Sequence, residues 1–453
     1  MNFIETFFGS LSSYLWSWPM IILLLGTHLF LTIRLRVPQR RIFTAIRLSF
    51  SKDKDSKGDV SPFGALATAL AGTIGTGNIV GVATAISLGG PGAVFWCWLT
   101  GVLGIATKYS EGVLAIKYRV QTSNGEMLGG PMYALERGMK MKWLAILFCI
   151  FTVLASLGIG STVQANSISL LLNETWNISP YLSGAVITLC LTLVIIFGVK
   201  GISKVCTALV PFMAVFYVIS CCYILFVNSA YLGEAIRIII SDAFSADSIV
   251  GGMTGGGVML AARYGIARGL FSNESGLGSA PIVAAAARTR NPVRQALVSS
   301  TATFWDTVVI CALTGLVLVS SIIAYPDIDY SQGGILTKAA FTKIPFWGPI
   351  ILSIGICTFA FSTILGWSYY AEKAMEYLGG KRSIRYFRFI YIVLVYCGSV
   401  ASLALVWNIA DCMNALMALP NLFSLLLLSG VVAKETNRYL WGGKLDEWDS
   451  PIH

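Results

Sequence analysis

Two short runs of glycine and polar residues interrupt long apolar stretches of the chain: GTIGTGN at 72–78 and GLFSNESGLG at 269–278. A helix that unwinds in such a run directs N–H groups toward an anion and carbonyl groups toward a small hard cation. In lipid, freed backbone groups are costly unless they line a cavity or bind something polar. The two runs therefore predict a site in which backbone groups bind a small charged ligand.

The residues of these runs favour a zwitterion over a sugar or a lone ion. The first run contains no acidic or basic residue, so backbone dipoles must hold both charges. In the second run, Glu274 could contact an ammonium group or sodium, or pair locally with Arg263 or Arg268. The alternative for the first run is close helix packing, in which Gly72, Gly75 and Gly81 only let neighbouring helices touch.

Other polar residues lie within apolar stretches, where ionisable groups are functional candidates. Gln164 either reaches a substrate carboxylate or bonds to a neighbouring helix. Asp306 either supports a cation site near Asn78 or pairs with Lys108. Lys108 and Glu111, three residues apart on one helix face, could also satisfy each other.

The composition indicates whether these runs lie in a soluble or in a membrane protein. Of 453 residues, 56% are hydrophobic and 12% charged, against about 45–50% and about 25% in soluble domains. An ordinary soluble enzyme is excluded. The ten cysteines lie in apolar runs and predict free, buried thiols. His28 and His453 are the only histidines, and no CxxC or HExxH motif occurs. A structural zinc site and histidine catalysis therefore lack ligands, and we expect no enzyme activity.

Apolar runs long enough to cross a hydrocarbon core of about 30 Å predict an all-α integral membrane protein. Eleven candidate spans occur, at about 15–35, 61–88, 92–117, 143–172, 181–198, 205–228, 252–287, 297–322, 347–373, 386–406 and 409–432.

The Lys and Arg residues predict the orientation of these spans. Eleven crossings with the N-terminus outside put 26 of the 32 cations on cytoplasmic segments, as the positive-inside rule requires. We therefore expect a multi-pass protein of the cell membrane with a cytoplasmic C-terminus. The net charge of +10 then needs no nucleic-acid partner to explain it.

The order of features predicts an inverted repeat. After the first span, the remaining ten form two sets of five, and each set begins with a broken helix followed by a helix with ionisable residues. Because five is odd, the second set enters the membrane from the opposite face. The predicted organisation is an extra N-terminal helix with a basic inner loop, a first repeat, an outer amphipathic connection, a second repeat and a cytoplasmic tail, at 1–60, 61–230, 231–250, 251–433 and 434–453.

Three long runs make the chain recognisable: AGTIGTGNIVGVATAISLGGPGAVFW (71–96), GLFSNESGLGSAPIVAAAA (269–287) and FSTILGWSYYAEKAMEYLGG (361–380). They closely resemble the alanine or glycine:cation symporter family, and the resemblance covers essentially the whole chain. It implies a leucine-transporter-type fold and sodium-coupled carriage of small neutral amino acids, alanine and glycine, by alternating access.

The resemblance implies where the substrate binds. The N–H groups of Gly75 to Gly77 would hold the amino-acid carboxylate, and free carbonyls of the second break would receive the ammonium. Trp367 would cap the pocket and limit side-chain size. The implied substrate-binding residues are Thr73, Gly75, Thr76, Gly77, Asn78, Gln164, Phe271, Ser272, Asn273, Gly276 and Trp367.

The resemblance also implies a sodium site between the first broken helix and the eighth core helix. The carbonyls of Ala71 and Ile74 and the hydroxyls of Ser362 and Thr363 would be its ligands. Those hydroxyls could instead bond to carbonyls of their own helix. A possible second cation site would use Asn78 and Asp306.

Other activities remain alternatives at this stage. Proton coupling would need an ionisable group beside the substrate, and Glu274 or Asp306 could supply it. A channel would need a continuous polar stripe, whereas the polar residues cluster at the two breaks. The expected partners are the amino acid and the lipid bilayer, and a monomer is compatible with the sequence.

Overall fold

The computed structural model describes residues 3–51, 56, 58–245, 257–330, 333–344, 346–401 and 404–449. It is mostly helical, and its helices are α1 Phe3–Leu15, α2 Trp18–Arg34, α3 Ile42–Ser49, α4 Pro62–Thr73, α5 Val80–Gly89, α6 Ala93–Lys117, α7 Pro131–Tyr133, α8 Lys142–Ala155, α9 Val163–Trp176, α10 Pro180–Ile195, α11 Gly198–Val227, α12 Ser229–Asp242, α13 Gly257–Asn273, α14 Pro281–Ala284, α15 Pro292–Thr303, α16 Ala312–Ala324, α17 Gly333–Thr342, α18 Trp347–Gly379, α19 Lys381–Val400, α20 Ala404–Leu427 and α21 Ser429–Thr436.

Shorter elements connect these helices. Wider π turns occur at Ala134–Gly138, Ser156–Thr162, Phe304–Cys311 and Asn437–Trp441, and 3-10 turns at Pro38–Arg41 and Thr76–Asn78. Strands β1 Val120–Gln121 and β2 Met127–Leu128 pair antiparallel, with Val120 opposite Leu128.

Several helices meet the length and hydrophobicity needed to cross a membrane. Within the described residues there are seven: Thr6–Arg34, Lys142–Trp176, Gly198–Val227, Pro292–Ala324, Trp347–Gly379, Lys381–Val400 and Asn408–Leu427. The apolar helices Val80–Gly89 and Pro180–Ile195 are shorter. A multi-pass membrane protein follows from these helices, while the count of eleven crossings and the inverted repeat stay predictions.

The first predicted break lies where the sequence placed it. Helix α4 starts at an N-cap, where the Ser61 side chain accepts a hydrogen bond from the Gly64 N–H at 3.0 Å. The helix ends at Thr73, and Ile74 turns to an extended conformation with ψ of 95°. After the 3-10 turn the chain continues as α5. The glycine-rich run is therefore a true interruption and not a packed continuous helix.

The second break starts later than predicted. Helix α13 continues through the first five residues of the run and ends at Asn273. The chain then leaves the helix at Glu274, with a positive φ of 54°, followed by Gly276 at 92° and Gly278 at 86°. Left-handed conformations end helices, and glycine adopts them without steric cost. The helical second half, α14, is only four residues long.

Helix α6 supports the second broken helix along its length. It packs against α13 and α15, and small residues permit close approach. A Cβ at Gly269 would lie 2.2 Å from the Thr100 hydroxyl, so glycine at this position permits close helix packing and does not mark a break.

Helix α18 supports the first broken helix in the same way. A Cβ at Gly366 would lie 2.5 Å from the Gly72 nitrogen, so the two helices touch backbone to backbone. On its other side α18 packs against the Ser156–Thr162 turn, where a Cβ at Gly160 would meet the Trp367 side chain. This contact fixes the position of Trp367 relative to the first break.

Two further expectations need correction. The predicted first span of 15–35 contains α2, but the apolar segment long enough to cross a membrane begins earlier, at Thr6, and includes most of α1. Pro19 lies in the first turn of α2, where proline is tolerated. The cysteines are free, but Cys190, Cys222 and Cys397 are exposed on the protein surface and not buried. Apolar runs predict lipid-facing positions as readily as buried ones.

Candidate functional site

A small cavity lies where both broken helices meet α9, α18 and α20. Its volume is about 10 Å³, roughly the space that one water molecule needs. Of the residues predicted to bind substrate, Thr73, Gly75, Gly77, Gln164, Phe271, Ser272 and Trp367 line it. Glu274, for which an ammonium contact was one of two predicted roles, lines it too, as do Gly72, Ile159, Thr363 and Asn414, for which no substrate contact was predicted.

The first break has two free backbone N–H groups, one on a residue that lines this cavity, Gly77, and one on a residue that lines the neighbouring cavity, Thr76. The Gly75 N–H donates to Asn78 Oδ1 at 2.8 Å. It is therefore not available to a ligand, contrary to the prediction. The N–H groups of Thr76 and Gly77 have no acceptor among the described residues. A carboxylate placed here would therefore accept from Thr76 and Gly77, at the positive start of a helix.

The second break presents free carbonyl groups. In a continuous helix the N–H groups of Ser275 and Gly276 would donate to the carbonyls of Phe271 and Ser272. Instead the Ser275 N–H donates to Asn273 Oδ1 at 2.9 Å, and the Gly276 N–H donates to a carboxylate outside the helix. The negative end of α13 therefore points unpaired carbonyls out of the helix, which suits an ammonium group.

Glu111 on α6 is the carboxylate that holds the second break open. Its Oε1 accepts from the N–H groups of Gly276 at 3.0 Å and Gly278 at 3.1 Å, and from Asn421 Nδ2 at 2.7 Å. Asn421 Nδ2 also donates to the Gly276 carbonyl at 2.9 Å. The sequence predicted a role for Glu111 only with Lys108, and its one signal was a carboxylate inside an apolar helix.

Four oxygens gather between α4 and α18 at the predicted sodium site. The Ser362 hydroxyl lies 3.3 Å from the Ala71 carbonyl and 3.4 Å from that of Ile74, and the Thr363 hydroxyl lies 3.3 Å from the Ile74 carbonyl. Calcium, similar to sodium in ionic size, takes oxygen ligands at about 2.3–2.6 Å. Two such ligands at right angles stand roughly 3.4 Å apart, so the spacing suits a cation of this size.

The same hydroxyls also bond within their own helix. Ser362 and Thr363 donate to the Phe359 carbonyl at 2.8 Å and 3.0 Å. These bonds satisfy the hydroxyl hydrogens and leave the oxygen lone pairs facing Ala71 and Ile74. Bonding of these hydroxyls to their own helix was the predicted alternative to cation binding. The two roles are compatible, because a hydroxyl can donate to its helix while its oxygen binds a cation.

Asp306 joins the two broken helices. Its carboxylate accepts from Asn78 Nδ2 at 2.6 Å, from the Ser272 hydroxyl at 3.0 Å and from the Thr307 hydroxyl at 2.6 Å. It lies in the π turn Phe304–Cys311. The structure thus places Asp306 beside Asn78, as one of its two predicted roles requires.

The predicted partnerships of the buried charges are replaced by others. No ion pair joins Lys108 to Asp306 or Glu111 within the part of the chain that the structure describes, and the Lys108 ammonium, although buried, has no hydrogen-bond partner there. Glu274 accepts from the Ser279 hydroxyl and not from the two arginines near it in sequence. Charge proximity along a helix did not predict which polar groups meet.

Four of the predicted substrate residues lie apart from this small cavity or serve the backbone. Thr76 lines a neighbouring cavity, and its hydroxyl donates to Gln164 Oε1 at 3.2 Å. Asn78 and Asn273 accept from N–H groups of their own breaks. Gly276 faces Leu24 and Leu422 on the far side. Their contact with substrate stays a prediction.

Larger cavities lead away from the site. A cavity of about 200 Å³ shares Gly77 and Phe271 with it, and a third of about 560 Å³ shares Val80 and Ser167 with the second. Phe271 therefore stands between the small cavity and a wide path lined by α9, α17 and α18.

Two discontinuous helices whose free backbone ends converge on one small cavity define a secondary transporter of the leucine-transporter type. The family model of the sodium:alanine symporter family matches residues 1–449 of this chain. The chain belongs to this family of sodium-coupled amino-acid symporters, and it is a transporter and not an enzyme.

Relatives and solved structures agree with this placement. The chain is 49% identical over 439 residues to the sodium/alanine symporter AgcS of Methanococcus maripaludis, covering 95% of this chain and 96% of that protein. It is 35% identical to the probable sodium/glutamine symporter GlnT of Bacillus subtilis, covering 95% and 89%. The crystal structure of MhsT with L-phenylalanine has the same fold, with a TM-score of 0.60, 16% identity and coverage of 86% and 95%.

Proposed function

We propose that this protein imports small neutral amino acids, alanine and glycine, together with sodium. The observation that carries the proposal is a pair of free backbone ends: the N–H groups of Gly77 at the cavity and of Thr76 beside it, and the carbonyls of Phe271 and Ser272. A zwitterion satisfies both ends at once, whereas a single ion satisfies only one.

Sodium would couple to the substrate through the first broken helix. Bound between the carbonyls of Ala71 and Ile74 and the hydroxyls of Ser362 and Thr363, it would draw α4 against α18. The break that follows Ile74 carries the N–H groups for the carboxylate. Because sodium favours this arrangement of the break, it raises substrate affinity, and the substrate raises sodium affinity in turn.

Asp306 is the proposed centre of a second cation site. Its two oxygens lie beside Asn78 and Ser272, one residue from each broken helix. A cation here would neutralise a buried carboxylate and hold the two breaks together. The same carboxylate is the group that proton coupling, the alternative mechanism, would use.

We further propose eleven crossings with the N-terminus outside and an inverted repeat of five plus five helices. The distribution of Lys and Arg supports this orientation. In it, the path from the site past Phe271 reaches the outer surface near Glu174 and Lys338, which pair at 3.5 Å. Alternating access would then close this path and open one to the cytoplasm.

Amino acids with small side chains are the preferred substrates, because Trp367 leaves little space in the cavity. Trp367 is fully buried, and its ring packs edge-on to Tyr370 with centroids 5.7 Å apart. Gly160 lies against the Trp367 side chain, and the Ser156 hydroxyl donates to the Trp367 carbonyl at 3.1 Å. The aromatic wall therefore has no room to retreat, and a substrate larger than alanine would have to displace it.

Replacing Trp367 by phenylalanine is expected to enlarge the range of substrates. Glycine and alanine should compete with labelled alanine for uptake into proteoliposomes, and leucine should not. In Trp367→Phe, valine should inhibit about 10-fold more strongly than in the wild type, since pocket space for one methylene changes affinity about 10–200-fold. Tyr370→Phe, whose ring lies outside the cavity lining, is the matched control. Unchanged valine inhibition in an active Trp367→Phe protein would contradict the size limit.

A further inference from the structure

Asn414 on α20 carries a buried acceptor that no described residue satisfies. The side chain is 1% exposed, and its Oδ1 has no hydrogen-bond partner among the described residues. Asn414 lines the small cavity together with Gln164, Glu274 and Trp367. An orphaned buried carbonyl is unfavourable, so its place at the cavity wall indicates a donor supplied by the ligand.

The chemistry of the proposed substrate identifies that donor. Alanine and glycine carry a carboxylate, which only accepts, and an ammonium group with three N–H donors. The free N–H groups of Gly77 at the cavity and of Thr76 beside it suit the carboxylate. The acceptors are the free carbonyls of the second break, the Glu274 side chain and Asn414 Oδ1. The orphaned oxygen can therefore pair only with the ammonium.

We propose that Asn414 Oδ1 accepts one N–H of the substrate ammonium and thereby selects primary over N-methylated amino acids. This inference rests on the proposed function and adds a contact from α20, which belongs to neither broken helix. With the carbonyls of Phe271 and Ser272 and the Glu274 side chain, Asn414 Oδ1 makes four acceptors, enough to use all three protons of the ammonium. An N-methyl group removes one proton and leaves one acceptor unpaired, which lowers affinity.

The first test removes the acceptor and keeps the shape. Asn414→Leu is expected to raise the KM for alanine at least ~10-fold, the loss expected for a hydrogen bond to a charged group. The maximal rate and the sodium concentration for half-activation, both measured at saturating alanine, should change less than ~2-fold, since saturating alanine offsets the lower affinity. Asn414→Asp keeps a side-chain oxygen acceptor and should return the KM to within ~3-fold of the wild type.

The matched control lies on the same helix. Ser424 is equally buried, donates to the Asn421 carbonyl of its own helix and does not line the cavity. Ser424→Ala should therefore leave the KM for alanine unchanged. If Asn414→Leu and Asn414→Asp raise the KM equally, Asn414 serves the fold and the inference is wrong.

The second test uses glycine and its N-methyl derivative, sarcosine, as competitors of alanine uptake. Asn414→Leu should weaken the inhibition of alanine uptake by glycine at least ~10-fold and the inhibition by sarcosine less than ~3-fold, so the preference for glycine over sarcosine falls. Equal weakening of both, or no change in either, would overturn the inference. Failure of the wild type to accumulate alanine would instead contradict the proposed function, so the two failures are distinguishable.

Discussion

Glu111→Ala is expected to reduce sodium-driven alanine uptake at least ~100-fold and to lower thermal stability. The change removes the acceptor of the buried N–H groups of Gly276 and Gly278, and it removes one of the two acceptors of Asn421 Nδ2. Each unsatisfied buried group costs about 1–3 kcal/mol, and the sum approaches the free energy of unfolding of a typical domain, about 5–15 kcal/mol.

Loss of the Glu111 carboxylate should change the substrate site itself as well as the stability of the protein. Without Glu111, the Gly276 N–H is free to return to the Ser272 carbonyl, as in a continuous helix. That bond would remove one of the carbonyls that we assign to the ammonium. Uptake should therefore fall further than the amount of folded protein in the membrane.

Two further variants separate these effects. Glu111→Gln keeps an oxygen acceptor on a side chain of the same length and should retain folding and part of the uptake. Ser110→Ala removes a buried hydroxyl that donates only to the Ala106 carbonyl of its own helix, and should resemble the wild type. Uptake is measured in proteoliposomes and stability by thermal unfolding in detergent. Wild-type uptake by Glu111→Ala would exclude Glu111 as the group that holds the break.

Removing both hydroxyls of the proposed sodium site is expected to abolish sodium stimulation of uptake. The double variant Ser362→Ala with Thr363→Val deletes two of four ligand oxygens and keeps the volume of the threonine side chain. Small hard cations require several oxygen ligands, so the sodium concentration for half-activation should rise at least ~100-fold. The measurement is alanine uptake against sodium concentration.

Ser368→Ala is the control for the double variant. Ser368 lies on the same helix, is fully buried and donates to the Leu365 carbonyl, as the two site hydroxyls donate to Phe359. Loss of a hydroxyl bonded within the helix is thus tested separately from loss of a cation ligand. A sodium activation curve unchanged in the double variant would place the sodium site elsewhere.

The sequence predicted local features of the site better than contacts between distant segments. The first break was predicted at its observed position, because glycine density in an apolar helix is a local signal. The approach of Ser362 to Ala71 was implied by resemblance, and the two groups lie 3.3 Å apart. The start of the second break at Glu274 was missed, because the residues from Gly269 to Asn273 stay helical through their packing against α6.

The groups that sequence reasoning missed depend on contacts across the fold. Glu111 is 165 residues from Gly276, and Asn421 is 310 residues from Glu111. Asn414 stands in an apolar helix with no neighbouring motif, and its place at the cavity becomes visible only when α20 is packed against the Ser156–Thr162 turn. Periodicity identifies buried positions but not which polar groups will share them.

The central claim is that a sodium gradient drives alanine through the cavity between the two broken helices. Its most direct test is accumulation of labelled alanine in proteoliposomes of the wild-type protein under an inward sodium gradient. Alanine should accumulate above its external concentration, and the accumulation should vanish when sodium is equal on both sides or replaced by choline. Absence of accumulation under the gradient, or equal accumulation driven by a pH gradient in sodium-free buffer, would contradict sodium-coupled symport.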